Sequence, residues 1–324
     1  MNPDRFFTES RVIIVAGKGG VGKTAVTAAL AFSASSVGLR TLVVEIEGKS
    51  GLPAAFGLPA LEYNELHLVE PGDGHGGVTA RTLTPDDALI EYLHDHGMKR
   101  ISNRLVASGA LDVISTAVPG IRDILVLGKI KQLERELTYD LIVVDAPAAG
   151  HAITFLRSAA GLADAVKVGP ISTQANEVLD LLRDPKRCRV TLVTLPEETP
   201  VNELVETAYS IEDEVGVALG PVVINGVLPP APDEDTDPSA LADEAGVALS
   251  ADCADVLRAS AEFRRARVAL QNRQLDRLGN DLPLPQLQLP RLFSSQLDRD
   301  GIATLSAFLI SHIETLPDRS GFNG

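Results

Sequence analysis

The sequence predicts an α/β fold built on a doubly wound, mostly parallel sheet. Two observations lead to this prediction. Short apolar runs rich in Val and Ile recur along the chain and alternate with longer stretches that have helical patterns. A glycine-rich loop separates the first apolar run from an Ala-rich helical stretch, which is typical of the first strand-loop-helix unit of such a sheet.

The predicted elements follow in order from these patterns. The first strand is RVIIVA (11–16), and the helix after the glycine loop runs from Lys23 to about Val37. A second strand is predicted at 41–46 (TLVVEI). Further buried strands are predicted at 141–145, 165–168, 190–195 and 221–227, several of them separated by helical stretches.

Two regions interrupt this alternation, at about 85–137 and 232–280. In the first, apolar residues recur at three- and four-residue spacing and share one helical face: Ile124, Leu127, Ile130, Leu133 and Leu137. The second begins with a Pro-rich acidic connection, which is most simply a solvated loop. We predict that both regions are insertions that form a helical lobe beside the sheet, within one domain spanning 1–324.

Composition excludes several functional classes. The 324 residues carry a formal charge of -15, which disfavours nucleic acid as a partner. The two cysteines, Cys188 and Cys253, form no CxxC pair, so neither a disulfide framework nor a zinc site is expected. The start of the chain lacks the pattern of a signal peptide, and no apolar run is long enough for a transmembrane segment. We expect a cytoplasmic protein.

The segment GKGGVGKT (17–24) carries the strongest chemical signal. It matches the phosphate-binding loop pattern GxxxxGK[ST], after a strand and before a helix. Lys23 would reach the outer phosphates of ATP, and the Thr24 hydroxyl would ligate Mg²⁺. The predicted nucleotide-binding residues here are Gly17, Lys18, Gly19, Gly20, Val21, Gly22, Lys23, Thr24 and Ala25.

A second phosphate-side element is LIVVDAPAAGH (141–151). Asp145 ends an apolar strand, where its carboxylate would hold Mg²⁺ through water. Gly150 would sense the γ-phosphate through its backbone N–H. An apolar strand that ends in Asp is common, so this interpretation depends on the glycine loop upstream.

These two motifs resemble those of the family that includes the arsenite-pump ATPase (ArsA) and the tail-anchor-targeting (Get-type) ATPases, which are P-loop NTPases with a deviant Walker A loop. Other segments in the family's order are LPEETPVNEL (195–204), VVINGVLP (222–229) and LQLPRL (287–292). The resemblance implies that Lys18 contacts the other subunit's nucleotide in a dimer, that Asn225 reads the adenine edge and that the backbone at Pro290 borders the base. Without it, Lys18 is a solvated loop charge and Asn225 a turn residue.

The sequence is most similar to single-domain, actinobacterial-type members, which share VEIEG (44–48) and PGIRDILVLGKIK (119–131). Such members pair with themselves or with a paralogous subunit. Where the family usually has Asp-Pro-Ala in its first switch, this chain has Glu47-Gly48-Lys49, which puts Glu47 at the position of the water-orienting carboxylate. The other interpretation makes Glu45 and Glu47 exposed charges at a strand end. Two scattered cysteines give little support to an arsenite-stimulated role.

The predicted function is a dimeric ATP-hydrolysing switch with Glu47, Lys18 and Lys23 as catalytic residues. ATP binding and hydrolysis would move the helical lobes, which would bind a cargo or a membrane-protein partner. One alternative is a positioning ATPase of the ParA and MinD type, which the acidic charge disfavours. Another is a nucleotide-binding subunit of a heterodimer that does not hydrolyse ATP.

Overall fold

A single sheet organises the protein, for which we describe a computed structural model covering residues 1–46, 51–95, 97, 100, 120–294 and 296–317. Within these residues eight strands form the sheet. They are β1 (Val12–Gly17), β2 (Thr41–Ile46), β3 (Leu66–Val69), β4 (Val78–Leu83), β5 (Leu141–Ala148), β6 (Cys188–Thr194), β7 (Val222–Val227) and β8 (Gln286–Pro290).

The strand order is β3-β4-β2-β5-β1-β6-β7-β8, and all neighbours are parallel except β3 and β4. The predicted fold class is therefore confirmed. The sequence did not predict β3, β4 or β8. β3 is only four residues long, and β8 alternates polar and apolar residues at the sheet edge, so neither has the continuous apolar run of a central strand.

The strand predicted at 165–168 is wrong. Ala165 is the last residue of a helix that begins at Ala149, and residues 166–168 form no strand. Ala and Val are compatible with the end of a helix, and three apolar residues around Lys167 do not distinguish a strand from a helix end.

Helices cover both faces of the sheet. They are α1 (Pro3–Thr8), α2 (Lys23–Ser36), α3 (Gly51–Ala55), α4 (Pro85–Asp95), α5 (Ile121–Glu136), α6 (Ala149–Ala165), α7 (Pro170–Arg183), α8 (Glu198–Val215), α9 (Pro238–Glu244), α10 (Ala251–Asp281) and α11 (Arg299–Thr315).

Alternate residues of each central strand enter different cores. In β1, Val12 and Ile14 pack with the apolar faces of α5 to α8, whereas Ile13 and Val15 pack with α2 and α11. Burial on both faces explains why the central strands have uninterrupted apolar sequences.

The first helical region contributes its apolar face to one of these cores. Ile124, Leu127, Ile130 and Leu133 of α5 are all buried, as their spacing predicted. Leu137 was wrongly included in this face. It ends the helix in a left-handed conformation and is 60% exposed. Residues 101–119 of this region lie outside the described residues.

The second helical region contains a long and largely exposed helix. Of the 31 residues of α10, the buried ones are Ala254, Gln271 and Leu278. Val256, Phe263 and Leu270, spaced seven residues apart, are exposed. This spacing places them on one side of α10. None of the helices in the described part of the chain has the length and apolarity that a membrane span requires.

Candidate functional site

The candidate site lies at the carboxyl ends of the central parallel strands. β1 stands between β5 and β6, and its end continues through residues 18–22 into α2. Because parallel strands end at the same edge of the sheet, the loop after β1 meets the ends of β5, β6 and β7 there. This is the edge at which open α/β sheets bind ligands.

Two of the loop glycines are required by close neighbours. A Cβ on Gly17 would lie 2.4 Å from the carbonyl oxygen of Val193 in β6, and one on Gly22 would lie 2.2 Å from Nδ2 of Asn225 in β7. Gly22 also has a φ of 89°, in the left-handed region. A Cβ on Gly19, by contrast, would meet no atom within 4 Å. The loop is therefore packed tightly against the strand ends at its two termini.

Gly22 is the N-cap of α2, so the first N–H groups of the helix point to the loop. An anion at this position would meet backbone N–H donors and the positive end of the helix dipole. The loop and the start of the helix together present backbone N–H groups to such an anion.

Lys23 and Thr24, the first two residues of α2, face the loop and β5 respectively. The ammonium of Lys23, which is buried, donates a hydrogen bond to the carbonyl oxygen of Lys18 (3.0 Å). The Thr24 hydroxyl donates to Oδ2 of Asp145 (2.7 Å), a fully buried residue of β5. The fold thus brings the Thr24 hydroxyl to a carboxylate that lies 121 residues away in sequence.

Asn225 holds the loop to β7. Its Nδ2 donates to the carbonyl oxygen of Val21 at 2.9 Å, next to the position where Gly22 excludes a side chain. Asn225 belongs to a strand and not to a turn, although Gly226 after it has a φ of 71°. In this structure the Asn225 side chain therefore positions the loop.

A pocket of about 240 Å³ lies beside Asn225 and Gly226. Its walls come from the segment after β6, the end of β7 and the helix α10, and include Pro196, Glu197, Leu228, Leu270, Gln271 and Arg291. The buried side chain of Gln271 makes two hydrogen bonds to the backbone of Leu228, accepting from N (2.8 Å) and donating to O (3.2 Å). Gln271 thereby connects α10 to the strand that carries Asn225. Sequence patterns gave no signal for this contact.

Lys18 forms a contact that the sequence did not predict. Its ammonium lies 2.5 Å from Oε1 of Glu203 in α8, and both side chains are partly exposed, at 43% and 37%. Glu203 falls in the family-like segment 195–204, but its contact with Lys18 could not be derived from the spacing of residues in the sequence.

The other predicted residues lie near this edge or outside the described residues. Gly150 is the second residue of α6, immediately after β5. Pro290 ends β8 and pairs with Val227 of β7, and Ala25 follows Thr24 in α2. Glu47 lies outside the described residues, so the structure gives no geometry for it.

Parts of this chain are similar to a known protein family and to individual known ATPases. Residues 10–169, which include the loop, β5 and the start of α6, match the family model for anion-transporting ATPases. The chain is 35% identical over 226 residues to the ATPase BagA of Mycobacterium tuberculosis, covering 68% of this chain and 66% of that protein. The matched segment thus spans just under two thirds of that relative's length.

More distant relatives carry two further names. The arsenical pump-driving ATPase of Escherichia coli is 26% identical over 334 residues, which is 95% of this chain and 50% of that protein. The ATPase get3 of Neurospora crassa is 26% identical over 198 residues, or 60% of this chain and 55% of that protein.

Proposed function

The chain belongs to the anion-transporting ATPase family, and from this premise we propose that it is a dimeric ATP-hydrolysing switch. In this proposal, ATP binding and hydrolysis change the arrangement of the helical regions, and these regions bind a cargo or a membrane-protein partner. Each subunit pairs with a second copy or with a paralogous ATPase subunit.

The observation that carries the proposal is the hydrogen bond between Thr24 and Asp145. It places a hydroxyl and a carboxylate oxygen 2.7 Å apart at the start of α2, beside the loop that precedes this helix. Hard oxygen ligands of this kind fit Mg²⁺, which usually takes only one or two protein ligands and fills its other positions with water and phosphate oxygens. Such a pair of oxygens fits a metal ion that arrives with its nucleotide.

Each residue has a distinct part in the proposed reaction. The backbone amides of the loop and the ammonium of Lys23 bind the β- and γ-phosphates and stabilise the negative charge that moves toward the leaving group. Mg²⁺ held at Thr24 and Asp145 would neutralise phosphate charge and orient the phosphates. Gly150 follows Asp145 closely enough in sequence for its N–H to respond to the γ-phosphate. Glu47 is proposed to orient the attacking water, on the resemblance alone.

The pocket beside Asn225 is proposed to receive the adenine. Its lining of Pro196, Leu228 and Leu270 offers apolar contacts, and Gln271 and Arg291 offer polar groups at its edge. Because Gln271 belongs to α10, a base bound in this pocket would be adjacent to the largely exposed helix. This adjacency supports a coupling between nucleotide and the second helical region, with the apolar row of Val256, Phe263 and Leu270 as the proposed partner-binding surface.

ATP turnover by a Lys23→Ala variant tests the enzymatic part of the proposal. We expect loss of nearly all phosphate release, because Lys23 contributes the positive charge that the transferring phosphoryl group needs. Lys186→Ala, which removes an exposed lysine outside the loop, is the matched control and should leave turnover unchanged. Equal turnover in the two variants would refute the assignment of this loop as the active site.

Movement of the helical region has its own measurement. Cys253 is exposed on α10 and Cys188 is buried, so a fluorescent maleimide should label Cys253 selectively. We expect Mg·ATP to change the fluorescence of the labelled protein, and the same label on Lys23→Ala to give no change. Light scattering on the same samples would report whether nucleotide increases the mass from monomer to dimer. A fluorescence change of equal size in Lys23→Ala would show that the label does not respond to nucleotide bound at this site, and it would contradict the coupling.

A further inference from the structure

The ion pair between Lys18 and Glu203 restrains a residue to which the proposed dimer assigns a different partner. We propose that Glu203 is a positioning residue that holds Lys18 within its own subunit and so sets the threshold for nucleotide-dependent dimerisation. This inference rests on the proposed function, in which Lys18 contacts the nucleotide of the opposite subunit.

The contact is well placed to act in this way. Glu203 is in the second turn of α8, between the buried residues Val201 and Leu204, which anchor the helix in the core. The backbone position of Glu203 is therefore set by the core. On the loop side, the carbonyl oxygen of Lys18 accepts the hydrogen bond from Lys23 at 3.0 Å. The backbone of Lys18 is thus tied to the phosphate-binding lysine, while its side chain is tied to α8 at 2.5 Å.

Lys18 cannot serve both anions well at the same time. An ammonium has three donors, but a bridge between Glu203 and a phosphate would bring two negative groups within a few ångströms of each other. Reaching a nucleotide in another subunit therefore requires the pair with Glu203 to open. The opening is reversible and inexpensive, because both side chains are partly exposed and water solvates them when they separate.

The size of the effect follows from the exposure of the pair. An exposed ion pair is worth a factor of about 1.4 to 5 in an equilibrium constant. A symmetric dimer opens two such pairs, so the two factors multiply. Glu203→Gln, which keeps the shape of the side chain and removes its charge, should tighten the nucleotide-dependent dimer by about 2- to 25-fold.

The matched control is Glu206→Gln. Glu206 lies one turn further along α8 and is exposed, and its replacement by Gln changes the net charge of the chain by the same amount. A general effect of reduced negative charge on self-association would appear in both variants, whereas release of Lys18 would appear only in Glu203→Gln. In a Lys18→Gln background, Glu203→Gln should have no further effect, which gives a double-mutant cycle for the pair.

Two measurements test the proposal and separate it from the proposed function. Sedimentation with Mg²⁺ and a slowly hydrolysed ATP analogue gives the dimer dissociation constant of each variant. Turnover as a function of protein concentration gives a second measure: the concentration for half-maximal activity should fall in Glu203→Gln, while the maximal rate per subunit stays the same. A merely structural role of Glu203 would lower the maximal rate or the stability and would not shift the half-maximal concentration downward.

A third measurement tests the contact independently of any dimer. It is the rate at which an activated ester acylates Lys18 in the nucleotide-free protein, followed by mass spectrometry. Faster acylation in Glu203→Gln than in Glu206→Gln is the expected result. Equal acylation, or a dimer that is unchanged or weakened by Glu203→Gln, would overturn the inference. If Lys18→Gln leaves the dimer intact while acylation responds as expected, the cross-subunit role of Lys18 fails, and the threshold role of Glu203 fails with it although the pair exists. If no variant dimerises, the inference fails, and so does the pairing of this chain with a second copy.

Discussion

Replacing single glycines of the loop by alanine should separate backbone strain from collision with the neighbouring strands. Gly19, Gly20 and Gly22 form a graded series. Gly19 lies outside the left-handed region and its added Cβ meets nothing, Gly20 has a φ of 86° with nothing within 4 Å, and Gly22 has a φ of 89° and a contact of 2.2 Å with Asn225 Nδ2.

The expected changes in the free energy of unfolding follow from these three environments. Gly19→Ala should be neutral or stabilising by up to about 1 kcal/mol, because alanine restricts the unfolded chain. Gly20→Ala should cost about 1–2 kcal/mol for the left-handed backbone. Gly22→Ala carries the same strain and also displaces the side chain of Asn225, which loses its 2.9 Å hydrogen bond to Val21, for a total of about 2–3 kcal/mol.

Urea unfolding of the nucleotide-free proteins measures these differences without interference from ligand contacts. A further variant, Asn225→Ala, removes the atom with which the new Cβ of Gly22→Ala collides. In that background Gly22→Ala should cost only about as much as Gly20→Ala does in the native sequence. Equal losses at Gly19 and Gly22, or no relief from Asn225→Ala, would refute the view that β7 dictates the glycine at position 22.

The remaining predictions concern Cys188 and Glu134, which lie away from the loop. Burial raises the pKa of the Cys188 thiol to about 12, so iodoacetamide should modify Cys253 and spare Cys188 in the folded protein; modification of both at similar rates, measured by mass spectrometry, would contradict the burial. This pKa is higher in the folded than in the unfolded state, so the contribution of Cys188 to the free energy of unfolding is fully present below about pH 9. It is lost as the pH rises toward 12, and the Cys188→Ala variant should not show this loss. The carboxylate of Glu134 in α5 is buried and lies 2.7 Å from Arg187 and 3.6 Å from Arg11, so Glu134→Gln should lower the free energy of unfolding by about 2–3 kcal/mol. Glu136→Gln, at an exposed position of the same helix, should change the free energy of unfolding by no more than about 0.5 kcal/mol. Similar losses for both variants in urea unfolding would show that the ion pairs of Glu134 are not structurally important.

Much of the fold could be predicted from local patterns. The central strands are buried on both faces, so their apolar runs are continuous, and the limits predicted for β2 agree with the structure. The edge strands β3 and β8 were missed because a short or half-exposed strand carries little periodic signal. Local hydrophobicity predicted a strand at 165–168, where the structure has a helix end, because a few apolar residues fit either structure. It also placed Leu137 on the buried face of α5, although this residue is exposed.

The sequence by itself determined the proposed phosphate-binding loop, because its glycines, Lys23 and Thr24 are adjacent and the chemistry proposed for them needs that spacing. Only the tertiary structure decided which distant groups face them. The parallel order of β5, β1, β6 and β7 brings Asp145 to Thr24 and Asn225 to Val21, and it places Glu203 beside Lys18 across 185 residues of chain. Such contacts depend on the strand order and the packing of whole elements, for which sequence spacing carries no signal. For this reason the residues proposed to bind phosphate could be named from the sequence, whereas the contact of Glu203 with Lys18 could not.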